Sequence, residues 1–274
     1  NQSGIEVSGL SENMGKAMGI VEGLIAGAQP NEEILQNLKG DMIKSRADAK
    51  LNQSRCFGAL QRYMIYGSDF IRRTTLTDPA LQGLTSEQLL AKIGDLMGKQ
   101  HGVLYYGPQD EAEVKAALAA HHKVAADLQP LEKKFSTLQP TDENKVMLAQ
   151  YDAKQLYYMQ YSNRGEKFDL AADPQITLYN EYFGGGMNTI VFQEMREARG
   201  LAYSAWANLA IPTNAKGDYY YMAFIATQND KMQKAIEAFD ETTKNMPESE
   251  KAFRIAKKDL ISRLRTARMV KDGV

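Results

Sequence analysis

Gly184-Gly185-Gly186-Met187-Asn188-Thr189-Ile190-Val191-Phe192-Gln193-Glu194-Met195-Arg196-Glu197-Ala198-Arg199-Gly200-Leu201-Ala202-Tyr203-Ser204 is the stretch on which the fold turns. It reads as a glycine loop, a short helix, a glycine stop and a strand. Gly200 can take the left-handed conformation that ends a helix. The stop sets the last helical turn, with Arg196, beside the start of the strand, with Tyr203. A guanidinium and a phenol so placed can donate hydrogen bonds to a carbonyl or a developing oxyanion. A plainer arrangement pairs Arg196 with a surface acid and alternates Tyr203 with Leu201, Ala205 and Leu209 on a core face. Physics alone favours the plainer one. The glycine run could cradle an anion at the following helix. It lacks the G-x-x-x-x-G-K pattern and follows a helix, so a sharp turn or close backbone approach is the simpler reading.

Outward from this stretch, Asp173-Pro174 opens a helix to Tyr182, with Pro174 suited to its first turn. Strands are expected at 201–211 and 218–227, joined by a turn around Asn214-Ala215-Lys216-Gly217. Strand-like runs precede the motif at 145–152 and 154–162. A helix follows from about Asn229 to Lys244, and Pro247-Glu248-Ser249 introduces a last one. Trp206 reads as a packed sheet residue.

The first part of the chain is mostly helical. Residues 4–9 are strand-like, and Met14, Ala17, Met18, Val21, Leu24 and Ile25 fall at helical spacing. Asn31 can cap a second helix carrying Ile34, Leu35, Leu38, Met42 and Ile43. Helical pattern continues through Phe57, Leu60, Tyr63 and Met64 to Gly67. Thr85-Ser86-Glu87-Gln88 is a capping box. Val103–Tyr106 reads as a strand closed by Gly107-Pro108, and 110–122 as an alanine-rich helix. Residues 127–144, with Pro130 and Pro140, form the linker candidate.

The two parts echo each other. A shift of 218 maps Met14-Gly15-Lys16-Ala17 onto Met232-Gln233-Lys234-Ala235, and Asp41-Met42-Ile43 onto Asp259-Leu260-Ile261. Both copies read strand, helix, proline, long helix. A period this long implies duplicated domains rather than a solenoid.

Composition narrows the class. The 274 residues are 43% hydrophobic and 24% charged, which is globular. A net charge of -1 gives no electrostatic case for nucleic acid. Cys56 is the single cysteine, so an internal disulfide is excluded; its helical surroundings suggest a buried, inert thiol. No apolar run approaches the ~20 residues of a membrane span. The chain begins on Asn1 and closes on Met269–Val274 in or just past a helical pattern, which suggests a piece of a longer protein. Arg254, Lys257, Lys258, Arg263, Arg265, Arg268 and Lys271 on the last helix read as a solvated face, diluted by Glu248, Glu250 and Asp259.

The histidines do not suit a peptidase zinc site, which needs H-x-x-E-H or its reverse. They are His101, His121 and His122, and the adjacent pair points about 100° apart on a helix. No Glu stands three residues after any of them, so they read as solvated or packing side chains. Leu178-Tyr179-Asn180-Glu181-Tyr182 has a Glu at the right spacing, but Leu and Tyr occupy the histidine positions.

Phe192–Ser204 resembles the L-R-E-x-R-G-L-A-Y-S segment of the pitrilysin/insulinase family of zinc metallopeptidases, the inverzincins, in their non-zinc domain. The resemblance covers most of the chain, most closely at 173–227. It implies an α+β fold: a largely antiparallel sheet with helices packed on one face. The domain is duplicated, with residues 1–126 the closing half of one copy and its trailing helix, 127–144 a linker, and 145–274 the front two-thirds of the next. It implies a fragment of a zinc-dependent endopeptidase that supplies the substrate-binding half of a chamber and is inactive alone. Arg196 and Tyr203 then contact the substrate backbone, and Gly184, Gly185 and Gly186 are grouped with them. The implied partners are unfolded peptide and a zinc-bearing domain or subunit. Zinc belongs to that parent domain, with no cofactor or metal ligand in this chain. A periplasmic or other extracytoplasmic location goes with the resemblance. Two alternatives stand beside it: a non-catalytic scaffold or partner subunit of the same fold, and a peptide-binding module that uses a sheet edge.

Overall fold

The computed structural model describes residues 4–131 and 137–268. Asn1, linker positions 132–136 and the closing Met269–Val274 lie outside the described residues. In chain order the helices are α1 (Met14–Gly27), α2 (Glu32–Lys50), α3 (Gln53–Thr74), α4 (Asp78–Gln82), α5 (Ser86–Met97) and α6 (Glu111–His121). Then come β1 (Gln155–Ser162), α7 (Asp173–Phe183) and α8 (Ile190–Phe192), which runs into a π-helical stretch at Gln193–Ala198. β2 (Ser204–Ala210), β3 (Tyr220–Gln228), α9 (Met232–Asn245) and α10 (Glu250–Thr266) complete the order. This is an α+β fold with an antiparallel sheet, as the family resemblance implied.

Contacts divide the chain into two compact units. One takes in the described residues of Asn1–Ala47 and Thr75–Phe135, the other those of Asp48–Thr74 and Ser136–Val274.

The first unit is helical, and α1 packs against α5 and α6. Its helices start where side chains satisfy orphan N–H groups. Asn31 Oδ1 accepts from Ile34 N at 3.0 Å, and Thr85 and Gln88 form the expected capping box. Asp110 and Glu113 form a second box, at a site the sequence reading gave only as a helix start. Lys39 is buried and donates to the carbonyls of Gln82 (2.9 Å) and Leu84 (2.6 Å), neutralising the end of α4. Glu32 accepts from Ser86 N at 2.6 Å and from its hydroxyl at 2.8 Å. These bonds hold the Glu32 carboxyl below its usual range. A depressed carboxylate pKa stabilises above the unfolded value, about 4.3, and that contribution is lost as pH falls through the folded value. Glu32→Gln should therefore lower the melting temperature at neutral pH. The gap from wild type should narrow as pH falls below the ordinary glutamate value and close only once pH is below the depressed folded value, where the folded carboxyl is neutral too.

The strands expected at 4–9 and 103–106 do not form. Both segments are irregular, and Leu104 is 98% exposed. β-rich residues alone do not make a strand. The backbone needs a neighbour to pair with, and none of the described strands lies beside them. The run at 145–152 is likewise irregular.

The second unit holds the sheet, in the order β1-β3-β2, both pairings antiparallel. Thus β3 is central, and β1 reaches it from across the intervening α7 and motif. Ala205, Ala207, Ala223 and Ile225 point to one face, where they bury against Phe183, Ile190, Val191, Met195 and Phe239. Small side chains on the strands let the helices approach closely. On α9 the buried Ala235, Ala238, Phe239 and Thr242 make a single helical stripe. The opposite face is aromatic. Trp206 stacks on Phe224 at 5.7 Å, and Phe57 of α3 meets Tyr157 and Phe224 edge-on or tilted. That α3 lies against this second face is not evident from the sequence pattern. Cys56, also on α3, is half-buried, with its Sγ near the carbonyls of Ala49 and Lys50.

The Asn214–Gly217 turn forms as expected, with Gly217 N bonded to Asn214 O. Within α3, Gly67 takes φ 74° and ψ 178°, a region open essentially only to glycine. A Cβ there would also stand 2.8 Å from the Gln139 amide. Gly67→Ala should destabilise the unit by about 1–3 kcal/mol in urea unfolding.

The 218-residue echo extends to the elements themselves. Single 3-10 turns at Ser11–Asn13 and Asn229–Lys231, α1 and α9, and α2 and α10 each begin 218 residues apart. Only the later stretch has a described strand before its turn: residues 4–9 fall 218 positions before part of β3.

Candidate substrate-contact site

The site is built where α8 meets β2. Val191 and Met195 are fully buried, which fixes the helix against the core and turns Phe192 and Arg196 outward. The helix widens to π geometry over Gln193–Ala198, a distortion common at functional sites. Gly200 ends it at φ 58°. Gly200 N bonds to Arg196 O at 3.2 Å, and Leu201 N and Ala202 N both reach Met195 O. The far side of the turn is anchored as well: Tyr203 N bonds to Ala226 O at 2.8 Å, and the Thr227 hydroxyl donates to Leu201 O at 2.6 Å.

This turn brings Arg196 and Tyr203 together. The Arg196 guanidinium carbon lies 5.6 Å from the Tyr203 ring centroid and 5.1 Å from that of Phe192. Tyr203 is 71% exposed, so it is not on a core face, and the plainer arrangement fails for it. β2 starts only at Ser204, and its alternation buries Ala205, as expected, and Ala207, while Tyr203 lies just before the strand. Arg196 finds a single acid, its neighbour Glu197, at 3.6 Å. Neither the guanidinium N–H groups nor the Tyr203 hydroxyl hydrogen-bonds to any described residue, so both remain available to a ligand.

Arg199 behaves differently. It bonds to Glu241 of α9 at 2.8 Å and approaches Glu194 at 3.6 Å. The bond to Glu241 is the main cause holding its pKa above the ordinary arginine value. Arg199 is a tether between elements; Arg196 has only its chain neighbour Glu197 as an acidic partner among the described residues. The sequence reading gave Arg199 no role, and residues three apart share a helix face, so their spacing alone does not tell the tether from the exposed arginine.

The glycine run packs on β2 at Ala207 and on α7 at Asn180, and its nearest neighbours do not include Arg196 or Tyr203. Gly184 O accepts from Ala207 N at 3.2 Å, and an added Cβ at Gly184 would lie 1.9 Å from Ala207 O. A Cβ at Gly185 would lie 2.9 Å from Asn180 O, whereas at Gly186 it would meet open space. The Asn180 side chain extends the seam, donating to Leu209 O and accepting from Leu209 N, each at 2.9 Å. These bonds occupy the outer edge of β2 at Ala207 and Leu209. Thr189 and Gln193 tie the loop back through Gly186 O and Met187 O.

A cavity of about 410 Å³ lies elsewhere in this unit, lined in part by Gln160, Tyr179, Tyr221 and Asp240. Burial pushes the Tyr179 hydroxyl up to about 12 and the Tyr221 hydroxyl higher still. Tyr221 Oη is buried without a hydrogen-bond partner among the described residues.

A catalytic zinc does not fit these residues. Leu178 and Tyr182 stand where histidines would be needed. Glu181 is bonded to Arg263 of α10 at 2.6 Å, and the Tyr182 hydroxyl accepts from Ser249 N and donates to Pro247 O at the start of that helix. Among the described residues no three or more His, Cys, Asp or Glu side chains converge to hold a metal ion. No described helix is long and apolar enough to cross a membrane.

The class defined by this geometry is an α+β domain that presents an arginine and a tyrosine and, among the described residues, no cluster of three or more metal-ligating side chains. The peptidase M16 inactive domain family matches residues 82–260, well over half of the chain, and the chain belongs to that family. It is 20% identical to a peptidase M16 inactive domain from Pseudomonas fluorescens, with a TM-score of 0.61 over 87% of this chain and 57% of that one. It is 14% identical to the periplasmic protease PqqL from Escherichia coli, with a TM-score of 0.66 over 93% of this chain and 28% of that one. It is 10% identical to the ferredoxin protease FusC, solved in complex with Arabidopsis ferredoxin, with a TM-score of 0.71 over the same 93% and 28%. Likeness at these identities speaks to fold. The chain spans 57% of the first structure's length and 28% of the other two. No curated protein sequence matches it.

Proposed function

We propose that this chain is the substrate-holding, non-zinc part of a zinc-dependent endopeptidase. The observation that carries the reading is the convergence of Arg196 and Tyr203, exposed, stacked and with uncommitted donors. Peptide hydrolysis builds negative charge on the scissile carbonyl oxygen. Preorganised donors aimed at that oxygen stabilise the transition state more than the ground state. Arg196 supplies a fixed charged fork and Tyr203 a neutral hydroxyl; the bonds around Gly200 hold both in place without contacting substrate. Gly184, Gly185 and Gly186 line the approach, and their packing against β2 sets its shape. The zinc, its ligands and the general base belong to a partner domain or subunit, and the substrate is an unfolded peptide.

The domain scheme belongs to the same proposal: residues 1–126 closing one copy, 127–144 linking, and 145–274 opening the next. A periplasmic site of action is in keeping with the fold it shares with PqqL. The chain alone should not hydrolyse an unfolded peptide, and adding the zinc-bearing part should restore cleavage. If the zinc-bearing part cleaves equally fast without this chain, the chain is a scaffold.

A further inference from the structure

In the first unit two histidines meet that are 21 residues apart in sequence. His101 Nε2 and His122 Nε2 face each other at 2.9 Å. His121 does not share the arrangement; its ring lies against Gly15 of α1. The partners of the other ring nitrogens fix the tautomers. His101 Nδ1 lies 2.8 Å from Lys99 O, which can only accept, so Nδ1 carries a proton. His122 Nδ1 lies 2.6 Å from Glu22 Oε1. The same carboxyl accepts from Lys123 N at 2.9 and 3.2 Å. A carboxylate accepts, so His122 Nδ1 also carries a proton.

With both rings neutral, their Nε2 atoms present lone pairs to one another. Two bare acceptors at 2.9 Å repel unless a cation sits between or beside them. Each ring is already held as metal-binding histidines are held, with its Nδ1–H on a carboxylate or a backbone carbonyl. Two imidazoles bound to one ion at the usual metal–nitrogen distance sit about 3.3 Å apart at the tetrahedral angle and about 2.9 Å apart at a right angle. The separation is already that of adjacent ligands. The His122 and Glu22 side chains retain 19% and 16% of their exposure, and His101 is exposed, so water can complete the coordination.

We propose that His101 and His122 form a two-histidine site for a borderline divalent cation, copper, nickel or zinc, with Glu22 and Lys99 O as the groups that orient them. Nitrogen donors favour these ions over magnesium or calcium. The site is separate from Arg196 and Tyr203 and independent of the proposed peptidase role. It joins α1, the segment after α5 and the end of α6, so bound metal stabilises this unit by mass action.

The test is titration of the whole chain with nickel, zinc or copper chloride in a non-coordinating buffer at neutral pH. Calorimetry and thermal unfolding follow binding, and copper EPR counts nitrogen ligands. The expected result is one equivalent bound, a saturable rise in Tm, and two imidazole nitrogens on copper. His101→Ala and His122→Ala should each abolish this, Glu22→Gln should weaken affinity about ten- to hundredfold, and His121→Ala should change nothing. Circular dichroism confirms that each variant is folded. If wild type binds no metal at about millimolar excess, the lone pairs are bridged by a proton alone and the proposal is overturned. It is equally overturned if folded His101→Ala binds as wild type does.

Discussion

Gly184→Ala is expected to destabilise the second unit by about 3 kcal/mol or more in equilibrium urea unfolding, at or beyond the upper end for overpacking. The added methyl would collide with main-chain atoms: Ala207 O at 1.9 Å, its carbonyl carbon at 2.6 Å and its nitrogen at 2.7 Å. A flexible side chain could swing away, but β2 is hydrogen-bonded to β3 on one side and to Gly184 and Asn180 on the other. Relief would require breaking the Ala207–Gly184 bond and shifting α7 off the sheet. A loss of that size is a large part of the ~5–15 kcal/mol that holds a typical domain together. Gly186→Ala is the matched control. It adds the same methyl to the same loop in open space, and should stay within about 0.5 kcal/mol of wild type. Equal effects at both positions would mean that the loop, not the close approach, sets the cost.

The second large effect is catalytic. In the assembled protease, Arg196→Ala is expected to lower kcat about 10²- to 10³-fold, the usual loss for one oxyanion-directed donor. KM should change less, because the donor acts mainly on charge that develops during reaction. Tyr203→Phe keeps the ring under the guanidinium and removes only the hydroxyl, so its kcat should fall less. Arg199→Ala separates site from scaffold. It breaks the tether to Glu241 and should lower Tm with a smaller loss of kcat. Unchanged cleavage in both Arg196→Ala and Tyr203→Phe would leave the scaffold reading in place.

How much of this was legible in the sequence depended on whether the signal was local. Asn31, Thr85 and Gly200 were readable because a cap or a left-handed stop is decided within a few residues. So was the nearness of Arg196 and Tyr203, which a single turn enforces. The exposure of Tyr203 was not, since it depends on β2 starting at Ser204 rather than at Leu201. The strand expected at 103–106 had the right residue types, yet strand formation depends on a neighbour far along the chain. The order β1-β3-β2 and the placement of α3 on the aromatic face are long-range choices of the same kind. Gly184 suggested close approach, but nothing in the sequence named Ala207 as what it approaches. His101 and His122 looked unrelated because only the ends of separate segments bring them together.

The central claim is that Tyr203 and Arg196 touch the substrate backbone. It is met most directly by photocrosslinking in the assembled protease, with a benzoylphenylalanine at position 203 and an uncleavable unfolded peptide as probe. The account predicts a crosslink between position 203 and the peptide near its would-be scissile bond, lost when excess cleavable peptide competes. A crosslinker at position 203 that never captures peptide, while the assembled enzyme still binds it, would contradict the account.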